Sequence, residues 1–191
     1  MTEVDPRVAR TRNDVLNSTI KVLIDEGWDA VTQPHIARVA GYSKATVYAH
    51  WPDRIALLRD AFARYGDMPH HEPTGDLRTD LIGELTSFRS AMVDHRLDRA
   101  MVVLAERASA VPEIVDIRDA FTRDGERPVR KILAAATDGA ELEATVRMLC
   151  GMVLHSVFMH GAAPSDAVIG AAVDVTLRGL ARPPQRGRQS G

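Results

Sequence analysis

The sequence is short of several things, and each shortage excludes a class of protein. A single cysteine, Cys150, in 191 residues rules out a disulfide scaffold and any CxxC zinc or redox motif, and suits a reducing compartment. No stretch alternates apolar and polar residues over the length of a strand, so no sheet is expected. The longest apolar run, 148–159, is interrupted by His155 and is shorter than the ~20 residues that cross a bilayer. The opening residues Met1-Thr-Glu-Val-Asp-Pro6 have no basic n-region or apolar h-region, so no secretory signal is expected. These readings place the protein in the cytoplasm with no membrane partner. A strongly basic balance is also missing. The net charge of −2 argues against a non-specific architectural binder of nucleic acid, whose affinity comes from phosphate neutralisation.

What is present is an apolar fraction of 45%, enough for a folded core, in a chain long enough for one compact unit or two small ones. Charge is unevenly spread: residues 1–65 carry a net +1 and residues 66–191 a net −3. Between 32 and 59 the bases Arg38, Lys44, Arg54 and Arg59 are opposed only by Asp53. Aromatics are skewed too, with Trp28, Tyr42, Tyr48, Trp51, Phe62 and Tyr65 ahead of residue 66 and only Phe88, Phe121 and Phe158 after it. Two regions with different tasks are expected.

The apolar period is helical throughout. Val8, Val15, Leu16, Thr19, Val22 and Leu23 mark one face of a helix over 8–26, closed by Gly27. Thr32 can cap a short helix over 33–40 whose first turn tolerates Pro34, and Gly41 ends it. Ser43 can cap a helix over 44–50, and Pro52-Asp53 opens a fourth reaching Tyr65. Residues 66–75, with two prolines and two glycines, read as a linker. Longer helices are expected over 76–95, 98–110, 113–137, 141–160 and 165–181, with a kink or break near Gly125 and Pro128. The Arg/Gly/Pro-rich end, 183–191, reads as a disordered tail.

Two short helices joined by Gly41-Tyr42-Ser43 form a helix-turn-helix, whose second helix can enter the major groove of duplex DNA. The hydroxyls of Ser43 and Thr46, the Lys44 ammonium and the Tyr48 phenol suit phosphate, and the helix N-terminus attracts anions. Ala45 and Ala49 are small enough for close approach to base edges, and His50 and Arg54 could hold a flanking phosphate. Trp51 is expected in the core and Tyr48 outside it, because Ala45, Val47 and Trp51 already supply an inward face.

The segment containing Thr32, Ile36-Ala37, Ala40-Gly41, Ser43, Lys44, Thr46, Val47, Tyr48, His50, Trp51, Arg54 and Leu57-Leu58 resembles the N-terminal signature of tetracycline-repressor-type (TetR-family) transcriptional regulators. Departures are Tyr42 in place of a small aliphatic residue, Trp51 in place of the commoner Phe, and the acid Asp53. The resemblance implies an all-α, nine-helix homodimeric regulator. Its helix-turn-helix domain would occupy 8–65, and its helical ligand-binding and dimerisation domain 66–182. It also implies phosphate contacts from Thr32, Tyr42, Ser43, Thr46, His50 and Arg54, with Lys44, Ala45, Tyr48 and Ala49 at base edges. The partners implied are double-stranded operator DNA and a small-molecule effector, with no cofactor.

Dimerisation through the last two helices is implied by the same resemblance. From periodicity alone, the stripes Leu142, Val146, Leu149, Val153, Val157 and Ile169, Ala172, Val173, Thr176, Leu177, Leu180 suit either a subunit interface or an internal core. The resemblance further implies a small-molecule pocket, for which Phe88, Met92, His95, Met101, Leu104, Phe121, Met152, His155, Phe158 and Met159 are the candidate walls. Without a charged cluster among them, a largely apolar ligand is expected.

Other readings compete. His50 or His95 could serve a small helical enzyme, but neither has a nucleophile or acid at useful spacing, so no catalytic residue is expected. His70-His71-Glu72 hints at a metal, yet adjacent histidines do not readily face one ion, and no metal is expected. His155 and His160, five apart, project about 140° apart on a helix and are not expected to pair. A regulator whose second half answers a protein partner, or nothing, remains the other alternative.

Overall fold

Helical periodicity is realised from end to end. The structure, a computed structural model, describes residues 6–181, and among them are nine α-helices, a 3-10 turn at Trp28–Ala30 and no strand. The helices are α1 Pro6–Glu26, α2 Gln33–Ala40, α3 Lys44–His50, α4 Arg54–Tyr65, α5 Leu77–Asp94, α6 Leu97–Ala108, α7 Pro112–Leu133, α8 Gly139–His160 and α9 Asp166–Leu180. The tail expected at 183–191 lies outside the described residues.

Side-chain caps fix where the short helices begin. Thr32 accepts from the His35 amide, Ser43 from the Thr46 amide and Asp53 from the Ala56 amide, each satisfying a donor that the first turn leaves without a partner. Gly41 ends α2 in the left-handed region, at φ 78° and ψ 26°, where a Cβ would be strained. Its backbone N–H returns to Ala37, so the chain reverses within Gly41-Tyr42-Ser43.

The break expected near Gly125 and Pro128 does not occur, and α7 runs through both. Proline at 128 removes one hydrogen bond to a carbonyl four residues back, that of the exposed Asp124, where water can replace the lost donor. The buried Val129 and Leu133 hold the following turn. The helix stops at Leu133 rather than 137. Ala136 closes a tighter turn onto the Leu133 carbonyl (2.8 Å), and Gly139, at φ 51°, leads into α8.

Packing sorts the chain into two compact units. One comprises Met1–Met68 with Arg96–Gly125, the other Pro69–His95 with Glu126–Gly191. Thus α6 and the first half of α7 pack with the N-terminal helices, although they follow the linker in sequence. In the first unit α1 lies against α2, α4 and α6, and α2 against α3. Val15, Leu23, Ile36, Val47, Trp51, Leu57, Leu58 and Phe62 are fully buried there, joined by Ala100 and Leu104 of α6 and Ile114 and Ile117 of α7. Each fully buried Val, Leu, Ile or Phe among them contributes about 1.5–3 kcal/mol of burial, so this core decides the fold of the unit.

In the second unit α5 packs on α8 and α9. Two exposed ion pairs tie α5 to the region of α9: Arg78 with Asp174 (2.7 Å) and Arg89 with Asp166 (2.7 Å). Val146, Leu149, Val153, Ile169 and Val173, from the two stripes considered for subunit pairing, are buried within the protomer. The internal-core alternative therefore holds for them. The reason is that α8 and α9 are apolar on a second face as well. Met148 (63% exposed), Met159 (73%), Val168 and Val175 point outward. This double-sided character makes α8 long and apolar enough, by length and composition, to span a bilayer, whereas its central run alone read as too short.

Candidate nucleic-acid interface

The helix-turn-helix presents one face of α3 to solvent. Ser43 receives the Thr46 amide at 3.1 Å and shares a hydroxyl contact with it at 2.8 Å, so both hydroxyls gather at the N-terminus of α3. Val47 and the C-cap residue Trp51 face the core, and Trp51 is only 1% exposed. Lys44, Ala45, Tyr48 and Ala49 are exposed and span a sector of about 140° on the helix. Tyr48 is 46% exposed, unusual for an aromatic with no partner to cover it. Thr32 and Ser43 are exposed at their helix starts, and Thr46 and His50 are half-buried beside them. The start and outward face of α3 thus combine two hydroxyls, a cation and a phenol, which is suited to phosphate and base edges together.

Two of the expected contact residues have partners inside the protein. The Tyr42 phenol donates to Asp14 Oδ2 of α1 at 2.7 Å. Arg54 stacks over the Trp28 ring at 4.0 Å and donates to the Trp28 carbonyl, while Arg107 of α6 lies 5.5 Å from the same ring. Burial lowers the pKa of Arg54, opposed by the charge of Asp29. Its Nε is buried without a hydrogen-bond partner. Asp53, the acid that departs from the family pattern, is taken up as the cap of α4.

The expected pocket walls are divided between the two units. Leu104 belongs to the core of the first unit, and Phe121 packs edge-on against Phe62 there, ring centroids 5.5 Å apart, with Met101 in the same unit. Met92 is buried in the second unit, where Phe88 and Met152 are half-buried. His95, His155, Phe158 and Met159 are exposed on the protomer, so they line no interior of it. The expectation that His155 and His160 stand apart is also corrected: their rings meet edge-on with centroids 5.0 Å apart. Their backbone positions diverge, but two rings five residues apart near the end of α8 can swing toward each other.

Sequence reading missed the residues that act at a distance. Asp60 Oδ2 receives the Trp51 indole N–H at 2.9 Å and the Arg12 guanidinium at 2.8 Å. Within the linker, His70 and the His71 amide bind the Glu84 carboxylate at 2.7 and 3.1 Å. Asp80 takes the Thr74 amide, the Thr74 hydroxyl and the Gly75 amide, with the His71 ring 3.2 Å away. These bonds lower the Asp80 pKa to about 2. A signal for this pair did exist, because acids at 80 and 84 share the spacing of the buried Leu81 and Leu85. Among the described residues no group of three or more His, Cys, Asp or Glu is arranged to hold a metal.

Two family models match the chain. Residues 15–61 match the model for bacterial regulatory proteins of the tetR family, and residues 71–176 the tetracyclin repressor-like C-terminal domain. An HTH-type transcriptional regulator of Mycobacterium tuberculosis is 29% identical over 181 residues, covering 88% of this chain and 87% of that protein. A DNA-binding transcriptional repressor, TetR, of Mycobacteroides abscessus is 25% identical over 182 residues, covering 90% and 94%. Among solved structures, the flavonoid-responsive regulator FrrA has the same fold, with a TM-score of 0.70 at 16% identity over 90% of this chain and 95% of that one.

Proposed function

Since the chain belongs to the TetR family of bacterial regulatory proteins, we propose that this transcriptional regulator is a repressor, released from a palindromic operator by a small, largely apolar ligand. Members of the family are regulators rather than enzymes, and regulators of bacterial transcription work on DNA in the cytoplasm. The observation that carries the reading is the outward face of α3: Lys44, Ala45, Tyr48 and Ala49 exposed together beside the Ser43 cap. Residues 8–65 serve as the DNA reader. Phosphate is held by Thr32, Ser43, Thr46 and His50, while Tyr42 and Arg54 act through their partners in the protein. Residues 66–182 sense the ligand and pair the subunits.

One α3 reads only a few base pairs, and each mismatch costs about 1–3 kcal/mol, so discrimination within a genome requires two copies. The exposed apolar faces of α8 and α9, with Met148, Met159, Val168 and Val175, are the surfaces proposed to meet across the dyad. In support of a repressor stands the Mycobacteroides abscessus relative, named for that activity. In support of a small-molecule effector stands the fold relative named as flavonoid-responsive. The effector must bind the DNA-incompetent form more tightly, because equal affinity for both forms shifts nothing.

The deciding experiment is selection of bound duplexes from a random-sequence pool followed by footprinting. Two protected half-sites about 34–36 Å apart, related by a dyad, are expected. A single unpaired half-site, or equal retention of all sequences, would overturn the proposal.

A further inference from the structure

A helix as short as α3, seven residues, has no stability of its own in water, and only Val47 within it is fully buried. Its direction must therefore be imposed from outside. Both of its ends lead to α1. Ahead of it, the half-buried Tyr42 phenol donates to Asp14 at 2.7 Å. Behind it, the indole N–H of Trp51 donates to Asp60 of α4 at 2.9 Å, and the same carboxylate oxygen receives Arg12 of α1 at 2.8 Å. The Arg12 guanidinium also lies 5.1 Å from the Trp51 ring centroid. Hydrogen bonds with an ionised partner are short and strong, and all three of these have one.

We infer that Arg12 and Asp14 are positioning residues for DNA recognition, holding the two ends of α3 so that its outward face keeps a fixed angle to α1. The inference rests on the reading of α3 as the recognition helix and adds what aims it. Attraction to phosphates tolerates a tilt of α3, because it is long-ranged. Paired hydrogen bonds to base edges do not. Loosening the clamp therefore costs sequence discrimination while leaving non-specific binding in place.

The variant Tyr42→Phe removes the phenol hydrogen bond and Asp14→Asn weakens it by replacing the carboxylate with a neutral acceptor, both with almost no change of shape, and Asp60→Asn weakens the other end in the same way. Amide exchange in the free protein judges the clamp whether or not an operator is found. Amides of residues 43–51 should exchange about three- to tenfold faster in each variant, the effect of one hydrogen bond of ordinary net worth, with the thermal transition still cooperative. On the duplex recovered from a random pool, affinity should fall by a similar factor. The Tyr42→Phe/Asp14→Asn double variant should be no worse than the weaker single, and the salt slope unchanged. Unchanged exchange at 43–51 in both single variants would overturn the clamp. So would a Tyr42→Phe protein that loses specific and non-specific affinity by the same factor, since the phenol would then be a neutral phosphate contact rather than part of a clamp.

Discussion

The ring of His71 lies over Gly83 of α5, in the place a side chain there would need: a Cβ on Gly83 would fall 2.3 Å from His71 Nδ1. That approach lets the linker lie down on α5 and reach the buried carboxylates of Asp80 and Glu84. Gly83→Ala is expected to lift the imidazole from Asp80. Forcing a methyl into an occupied site costs about 1–3 kcal/mol. Urea denaturation should show a lower midpoint with an unchanged m value, and an unaltered midpoint would mean that the loop yields freely.

Asp80 gives the same loop a pH dependence. Its pKa is lowered to about 2, first by the Thr74 amide and hydroxyl bonds. A carboxylate whose folded pKa lies below its ordinary value stabilises the fold above that ordinary value, and the contribution disappears as pH falls through the folded pKa. Wild-type protein should therefore lose stability between about pH 4 and pH 2. Asp80→Asn should be less stable at neutral pH and should show a flatter acid limb, read by circular dichroism at fixed urea. A variant as steep as the wild type would assign the acid sensitivity elsewhere.

The contrast between what could and could not be read from the sequence follows from range. Thr32, Ser43, Asp53 and Gly41 act on neighbours within four residues, and their roles in ending and starting helices were legible for that reason. Ala45, expected on the inward face of α3, is exposed, and Val47 and Trp51 alone fill that face. Trp51 was nonetheless legible as core and Tyr48 as surface. Arg54 was not, because its partner Trp28 is 26 residues earlier and a free cation near a helix start looks like a phosphate ligand. The faces of α8 were not separable either. A period of 3.6 marks an apolar stripe equally well whether it meets its own protomer or faces outward, and this helix carries both buried and exposed apolar residues.

Trp28 and Arg54 can be tested by a substitution that keeps charge. Arg54→Lys retains the cation but loses the flat face that stacks on the indole and the fork that reaches the Trp28 carbonyl. We expect a loss of about 1–2 kcal/mol in thermal or chemical denaturation, most of the effect of Arg54→Ala, and a change in Trp28 emission. Lysine restoring full stability would show that charge alone matters at this position.

Lys44 and Tyr48 are exposed, so their replacement should separate binding from folding. Tyr48→Ala and Lys44→Ala are each expected to stay within about 0.5 kcal/mol of wild-type stability, as surface changes usually do. Each should weaken operator binding, Tyr48→Ala by about 1–3 kcal/mol if it reads a base edge. Titration of labelled operator at several salt concentrations is the measurement. Normal affinity in both variants would remove α3 from the interface.

The outward apolar residues of α8 and α9 make the last prediction, because Met148 and Val175 are mostly exposed on the protomer. Exposed apolar side chains of this size gain from being covered, and burial against a second copy recovers about 25 cal/mol for each Å² covered. Placing a carboxylate there, as Met148→Asp or Val175→Asp, leaves the protomer core untouched but sets like charges against each other across a dyad, since every substitution occurs twice in an isologous interface. Sedimentation velocity should show wild-type dimers and variant monomers at the same concentration, with helix content unchanged. The monomers should also lose operator affinity, because two half-sites no longer share one binding event. Dimers persisting in both variants would move the seam to another face, and helix loss would mean that the stripe is packed within the protomer.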